Sequence, residues 1–220
     1  MMALVLKNNV LYLHIPKTGG NWLTKMVHDQ GLVVGKLGHK HATFDYISPR
    51  PGPLRSMVSS WKHLAGSPTV FCVVRDPLSW YESWFRYQTS KQWRDWGEAG
   101  NPARWHVCAA LNACKSSDFM TFMRAVNKHV PGFLTCFFGR YTHGANATVL
   151  RNESLAQDFV AFAERTGLPI DSKALLAAGR VGESPKMKLE WDDEVLCETV
   201  ANEMAAYRAY GYELPKSVTK

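Results

Sequence analysis

Two short segments of this sequence combine residue types that bind phosphate or sulfate groups. The first, HIPKTGGNW over residues 14–22, follows an apolar run and precedes a helical pattern. Its two glycines allow the backbone to wrap closely around an anion, helix-start amides point at that anion, and Lys17 adds a positive charge. We therefore predict an anion-binding loop; a tight turn with a surface lysine is the competing interpretation. It is not a Walker A sequence, because Lys17 precedes the glycines.

The second segment, VVRDPLSWYES over residues 73–83, places Arg75 at the end of a predicted strand. Arginine presents a rigid fork of donors that suits a phosphate group, and a serine hydroxyl can add one hydrogen bond. Ser79 and Ser83 lie four residues apart, on one face of the helix that follows. The competing interpretation is a capped core helix whose serines are incidental.

The elements that must position these segments alternate between strands and helices. Apolar and β-prone runs predict strands over residues 10–15, 32–37, 69–74 and 147–150. Helical patterns cover residues 21–30, 53–64, 103–113, 118–128, 155–165 and 192–210. Asp76 is predicted to cap a further helix that Pro77 opens. The alternation predicts an α/β fold in which helices cover a central parallel sheet, with residues 1–220 forming one domain.

Together, and in this order, the two segments resemble those of sulfotransferases that use 3′-phosphoadenosine 5′-phosphosulfate (PAPS), especially the carbohydrate-type branch, whose first loop reads HIPKTGGT. The resemblance implies a P-loop-like domain in which the loop around Lys17 cradles the 5′-phosphosulfate. It also implies that Arg75 and a serine eight positions later bind the 3′-phosphate, which selects Ser83, with Ser79 second. Asn21 stands where that family usually has threonine, so we expect weaker or rearranged donor contacts there.

Two fainter resemblances lie farther along the chain. Residues 149–155 (VLRNESL) resemble a strand-plus-acid segment of the family, and residues 182–188 (GESPKMK) resemble its flexible loop over the nucleotide. The residues implied to bind PAPS, or its product PAP, are Lys17, Thr18, Gly19, Gly20, Asn21, Trp22, Arg75, Ser79, Ser83, Ser184 and Lys186.

A histidine pair after the second predicted strand could supply the base that an acceptor hydroxyl needs. Histidine has an ordinary pKa of about 6.5, which suits proton transfer near neutral pH. Residues 38–43 read GHKHAT, and related sulfotransferases carry a catalytic histidine or glutamate in this region. The resemblance favours His41, with His39 second, and Lys17 is expected to neutralise charge on the departing phosphate oxygen.

Composition limits the wider interpretation. Lys and Arg number 26 against 19 Asp and Glu, a net charge of +7 that suits an anionic ligand. The five cysteines are scattered without a CxxC pair, so neither a metal site nor a disulfide framework is predicted. No secretory signal or bilayer-spanning apolar run is recognised, so a cytoplasmic protein without a membrane span is expected.

The function predicted from the sequence is therefore transfer of a sulfuryl group from PAPS to an acceptor hydroxyl, with a carbohydrate as the favoured acceptor. Three alternatives stay open: a P-loop-like nucleotide kinase, a basic nucleic-acid-binding module, and a protein that binds the nucleotide without catalysis. The kinase would need a lysine after the glycines and a magnesium-binding Ser or Thr. Nucleic-acid binding, which we do not favour, would weaken steeply with salt.

Overall fold

The computed structural model describes residues 3–47, 66–93, 106–143, 146–179 and 187–218. The chain forms two compact units, each built from two stretches of sequence. Unit 1 comprises Met1–Arg75 with Phe138–Gly182, and unit 2 comprises Asp76–Phe137 with Glu183–Lys220. The helix predicted over residues 53–64 lies outside the described residues. That residues 1–220 form one domain stays a prediction.

Unit 1 contains a five-stranded sheet, and its strands are β1 (Ala3–Leu6), β2 (Val10–Leu13), β3 (Val33–Leu37), β4 (Thr69–Val74) and β5 (Thr148–Arg151). Their order in the sheet is β3-β1-β2-β4-β5. β2, β4 and β5 are parallel to one another, as predicted. β1 pairs antiparallel with both β2 and β3, so the predicted parallel pairing holds for the strands β2, β4 and β5 but not for β1 and β3. The α/β class is confirmed, with a mixed sheet.

The antiparallel part of the sheet begins in a hairpin that the sequence analysis did not predict. β1 ends at Leu6 and β2 begins at Val10, and these two residues pair across the hairpin. Asn8 and Asn9 occupy the left-handed region, with φ of 56° and 58°, which asparagine tolerates better than most residues. Because so short a turn can join only antiparallel strands, the local sequence dictates this departure from the parallel pattern.

The core of unit 1 is formed by residues of the sheet and of the helices packed against it. Every residue of β4 except Thr69 is buried, as its continuous apolar run predicted. α1 (Gly20–Asp29) and α6 (Leu155–Thr166) bury apolar residues in the same cluster. The short helices α2 (Phe44–Ile47) and α7 (Ser172–Ala177) also belong to this unit.

Unit 2 is built from helices, and they are α3 (Pro77–Ser90), a 3-10 helix (Ala109–Cys114), α4 (Phe119–His129), the start of α5 (Phe133–Thr142), α8 (Asp193–Asn202) and α9 (Met204–Tyr210). The predicted cap of α3 is confirmed, since the Asp76 carboxylate accepts the Ser79 amide at 2.8 Å. The large aromatics of α3 are buried, as expected for an interior helix, and they are Trp80, Tyr81, Trp84 and Phe85.

Two helix predictions need correction, and two helices were not predicted. The single helix over residues 192–210 is two helices, because Glu203 leaves helical geometry with φ −99° and ψ 11° between α8 and α9. The described part of the helix predicted over residues 103–113 contains a 3-10 helix instead. α5 and α7 were not predicted. Within the described ranges, no helix combines the length and apolar character that crossing a membrane requires.

Candidate functional site

The three parallel strands bring their following loops to one edge of the sheet in unit 1. Leu13 pairs with Cys72 between β2 and β4, and Val74 pairs with Arg151 between β4 and β5. The strands therefore end together. In open α/β sheets ligands bind at this carboxyl edge. The residues that follow the strand ends are the 14–19 loop, Arg75 and Asn152.

The loop between β2 and α1 has the backbone geometry of an anion site. The Thr18 side chain is fully buried, and its hydroxyl donates to the Ile15 carbonyl at 2.9 Å, which closes the turn. Gly19, with φ of 83°, is the N-cap of α1 and supplies no side-chain capping bond. The first turn of α1 carries no acidic residue. Its amides and the positive end of the helix dipole thus favour a bound anion.

The glycines of the loop are also required by side chains packed against them. A Cβ on Gly19 would lie 2.7 Å from Oδ1 of Asn152, and one on Gly20 would lie 2.0 Å from Nε2 of His14. The Asn152 amide donates to the Val74 carbonyl at 2.9 Å, which continues the β4–β5 pairing by one residue. Asn152 thus belongs to the site, although sequence reasoning did not identify it. Its position directly after a predicted strand was the available signal.

Three cations of unit 1 interact electrostatically at this loop. The pKa of Lys17 is lowered to about 8, mainly by burial and then by the positive charges of Arg75 and Lys40, in that order. Arg75 Nη1 donates to the Lys17 carbonyl at 3.4 Å. Burial also lowers the pKa of Lys40 below its usual value. All these causes disfavour the protonated amines, so a bound anion would stabilise their charged form. Lys40 is a candidate site residue that was not selected from the sequence.

The two candidate base residues lie in a tight turn directly after β3. The Ala42 amide donates to the His39 carbonyl at 3.1 Å. His41 Nδ1 lies 3.0 Å from the His14 carbonyl oxygen. The rings of His14 and His41 meet edge to face, with centroids 5.0 Å apart. The predicted loop and the predicted histidine pair are therefore in contact through His14.

Hydrogen bonding distinguishes His41 from His39. A carbonyl oxygen can only accept, so Nδ1 of His41 carries the proton and the basic lone pair of its neutral ring is on Nε2. In His39 the lone pair is on Nδ1, where it accepts the His41 amide at 3.3 Å. The pKa of His41 is lowered to about 4, mainly by burial. The nearby Lys40 and His39 also lower it, whereas the hydrogen bond to the His14 carbonyl raises it. His41 is thus neutral at pH 7 and presents Nε2 as its basic atom.

The remaining predicted site residues lie on helices or outside the described residues. Asn21 is exposed on α1, whereas Trp22 is only 5% exposed and packs in the core of unit 1. Ser79 and Ser83 lie on α3 in unit 2, and Ser83 is buried. Ser184 and Lys186 lie outside the described residues.

Comparisons with known proteins add no family to this geometry. The chain matches no family model, no curated protein and no solved structure. Among the described residues there is also no group of three or more His, Cys, Asp or Glu side chains that could hold a metal ion. The function is therefore inferred from the residues of the site and their chemistry.

Proposed function

We propose that this protein is a sulfotransferase that moves a sulfuryl group from PAPS to an acceptor hydroxyl, on a carbohydrate. The observation that supports it most is the contact, within unit 1, between a cationic loop at the start of α1 and a neutral histidine. The loop binds the 5′-phosphosulfate of PAPS through Lys17 and helix-start amides, and Arg75, which contacts the Lys17 carbonyl, binds the 3′-phosphate. His41 provides the base that attack by a hydroxyl requires.

The reaction is an in-line displacement at sulfur. The acceptor oxygen forms a bond to sulfur while the bond between sulfur and the phosphate oxygen of the donor breaks. The acceptor's proton passes to Nε2 of His41, and Lys17 stabilises the negative charge that develops on the leaving PAP. Such a base and such an electrostatic donor each contribute about 100-fold or more to the rate.

The proposed recognition of the 3′-phosphate can be tested by measuring PAP binding, which needs no knowledge of the acceptor. PAP should raise the stability of the protein, by about 2.7 kcal/mol at 100 times its dissociation constant. AMP lacks the 3′-phosphate and should raise it far less. Equal stabilisation by PAP and AMP would contradict the role proposed for Arg75 and Ser83.

Calorimetric titration of variants with PAP then tests the individual residues. Arg75→Ala should weaken binding by about 2 to 5 kcal/mol, because it leaves a phosphate charge without its partner. Ser83→Ala should weaken it by about 1 kcal/mol. Arg165→Ala removes the same charge from an exposed position in the last turn of α6 and serves as the matched control. Unchanged PAP affinity in folded Arg75→Ala would leave the second segment as a capped core helix only.

A further inference from the structure

We propose that His14 and Tyr141 are positioning residues that hold His41 in the tautomer and orientation of a general base. The proposal rests on the proposed function for the role of His41, but the arrangement itself can be measured without any acceptor. The sequence analysis did not select either residue for the site. Both contact His41 within unit 1.

His14 fixes the ring of His41. Its carbonyl oxygen, directly after β2, is 3.0 Å from His41 Nδ1 and keeps the proton on that atom. The His14 ring is only 4% exposed and is stacked on Tyr12, with ring centroids 5.9 Å apart. Its Nε2 lies against Gly20, the first residue of α1. His14 thus ties the position of the base to the strand and to the anion loop.

Tyr141 fixes the backbone of His41. Its hydroxyl donates to the His41 carbonyl at 2.8 Å, and its side chain is fully buried in α5. The two residues are 100 positions apart in the chain, so the bond joins distant segments of unit 1. With the ring held by His14 and the main chain held by Tyr141, little freedom remains for His41 to rotate. Catalytic groups need such support from neighbouring side chains to stay in a productive geometry.

The charged and titratable groups that act on His41 are Lys40, His39, His14 and the N-terminal amine. Lys40 and His39 disfavour an added proton, whereas the bond to the His14 carbonyl favours it. Burial is the largest influence and keeps the ring neutral. A substitution that loosens the segment therefore lets water reach the ring, and the pKa of His41 should rise toward its ordinary value.

The first experiment follows the imidazole nitrogens of His41 by NMR during a pH titration of the full chain. In the wild type we expect the Nδ1-protonated tautomer and a pKa near 4. Tyr141→Phe removes one hydroxyl with little change in volume; we expect mixed tautomers and a pKa for His41 raised by about one unit. Tyr12→Phe is the matched control, since it removes another fully buried hydroxyl that has no hydrogen-bond partner. This control should leave the His41 signals unchanged.

A pair of substitutions at His14 tests whether its packed ring holds in place the main-chain carbonyl that contacts His41, and keeps the proposal decidable if Tyr141→Phe does not fold. His14→Phe preserves a packed ring and should retain the tautomer of His41, whereas His14→Ala should lose it. Identical His41 spectra in wild type, Tyr141→Phe and His14→Ala would overturn the proposal.

Catalysis separates positioning from a purely structural role. With PAPS and a hydroxyl acceptor that the wild type sulfates, Tyr141→Phe should lower kcat by about tenfold and change the PAP dissociation constant by less than twofold. An equal loss of kcat and PAP affinity, or no loss of either, would overturn it. Failure of the proposed sulfotransferase function has a different signature, because PAP would then bind no better than AMP while the His41 spectra still respond to Tyr141→Phe.

Discussion

At the scale of single residues, Lys17 shows how an unfavourable position can serve binding. It has a left-handed φ of 65°, and its ammonium group is disfavoured by burial and by two neighbouring cations. An isolated buried amine would lose its proton to relieve this cost. An anion bound in the loop would instead stabilise the charged form, so we expect binding and protonation of Lys17 to be linked.

This linkage predicts how PAP affinity depends on pH. The free protein has a Lys17 pKa of about 8, and a bound anion should return it toward the ordinary value near 10.4. Affinity should therefore be nearly constant below pH 7.5 and fall as pH rises beyond 8, by roughly 20-fold at pH 9.5. The second phosphate ionisation, near pH 6, is already complete over this range. Calorimetric titration at pH 7.5 and pH 9.5 measures the change.

Two variants show whether Lys17 is the group responsible. Lys17→Met should bind PAP weakly at both pH values, with no loss between them. Lys25→Met, which removes an exposed lysine from α1 where it pairs with Asp29, should keep the wild-type dependence. A wild-type affinity that is the same at both pH values would contradict the linkage.

The local part of the site could be predicted from sequence, and the part assembled from distant segments could not. Lys17 and the glycines follow one predicted strand, and Arg75 follows another, so their placement at a sheet edge could be expected. Asn152 and Tyr141 reach the site through the fold. The position of Asn152 directly after a predicted strand was the one local signal, and nothing in the neighbourhood of Tyr141 indicates its place, because Tyr141 belongs to no phosphate-binding pattern.

At the scale of elements, a buried carboxylate explains why one predicted helix is two. Glu203 is 1% exposed and accepts bonds from the Tyr81 hydroxyl at 2.7 Å and the Leu134 amide at 3.0 Å. It also accepts the amide and hydroxyl of Thr135, both at 2.8 Å. Glu203 thereby satisfies amides in the first turn of α5, which otherwise have no intrahelical partner. These hydrogen bonds to residues distant in the sequence override the helical pattern of residues 192–210.

Removing the charge of Glu203 should destabilise the protein more than the loss of one ordinary hydrogen bond. Glu203→Gln retains the shape but places an amide donor among four donors, so we expect a loss of roughly 2 kcal/mol or more in the free energy of unfolding. Tyr81→Phe removes one of the four bonds and should cost about 2 kcal/mol, the value for a bond to a charged group. Urea denaturation measures both.

The matched control for this substitution is Glu213→Gln, which changes an exposed glutamate of the same unit and should leave the free energy of unfolding unaltered. If Glu203→Gln is as stable as that control, the carboxylate does not hold α5 in place.

Strand prediction succeeded or failed according to how much of the pairing is local. Both ends of β4 were predicted correctly from its continuous apolar run, because a strand buried on both faces is apolar throughout. β3 was located, but its antiparallel partner β1 was not, and strand direction depends on the partner. The turn at Asn8 and Asn9, between two short apolar runs, was the signal that could have identified the hairpin.

At the scale of the whole molecule, the net charge of +7 agrees with an anionic ligand but does not identify one. The position of the cations narrows the choice of anionic ligand. Lys17 and Lys40 are partly buried at the loop, a position that suits a small anion entering the loop. Nucleic acid is bound largely through phosphate contacts along a basic surface, and the affinity then falls steeply with salt. We therefore expect a nucleotide, and not a nucleic acid, as the ligand of this loop.

The neutral histidines of unit 1 predict that the folded protein loses stability as pH falls from 6.5 toward 5. His41 has a folded pKa of about 4, and burial holds the pKa of His14 well below its usual value. Both imidazoles titrate near 6.5 in the unfolded chain, so in this window the unfolded state binds more protons and stability rises with pH. Urea denaturation at pH 7, 6 and 5 should show the decline, and His41→Gln should make it shallower, with His14 and His39, whose pKa burial also lowers, retaining the rest. His129→Gln, at an exposed histidine of α4, should decline as steeply as the wild type. A His41→Gln slope equal to that of the wild type would mean that His41 is not held neutral by the fold, and its assignment as the base would lose this support.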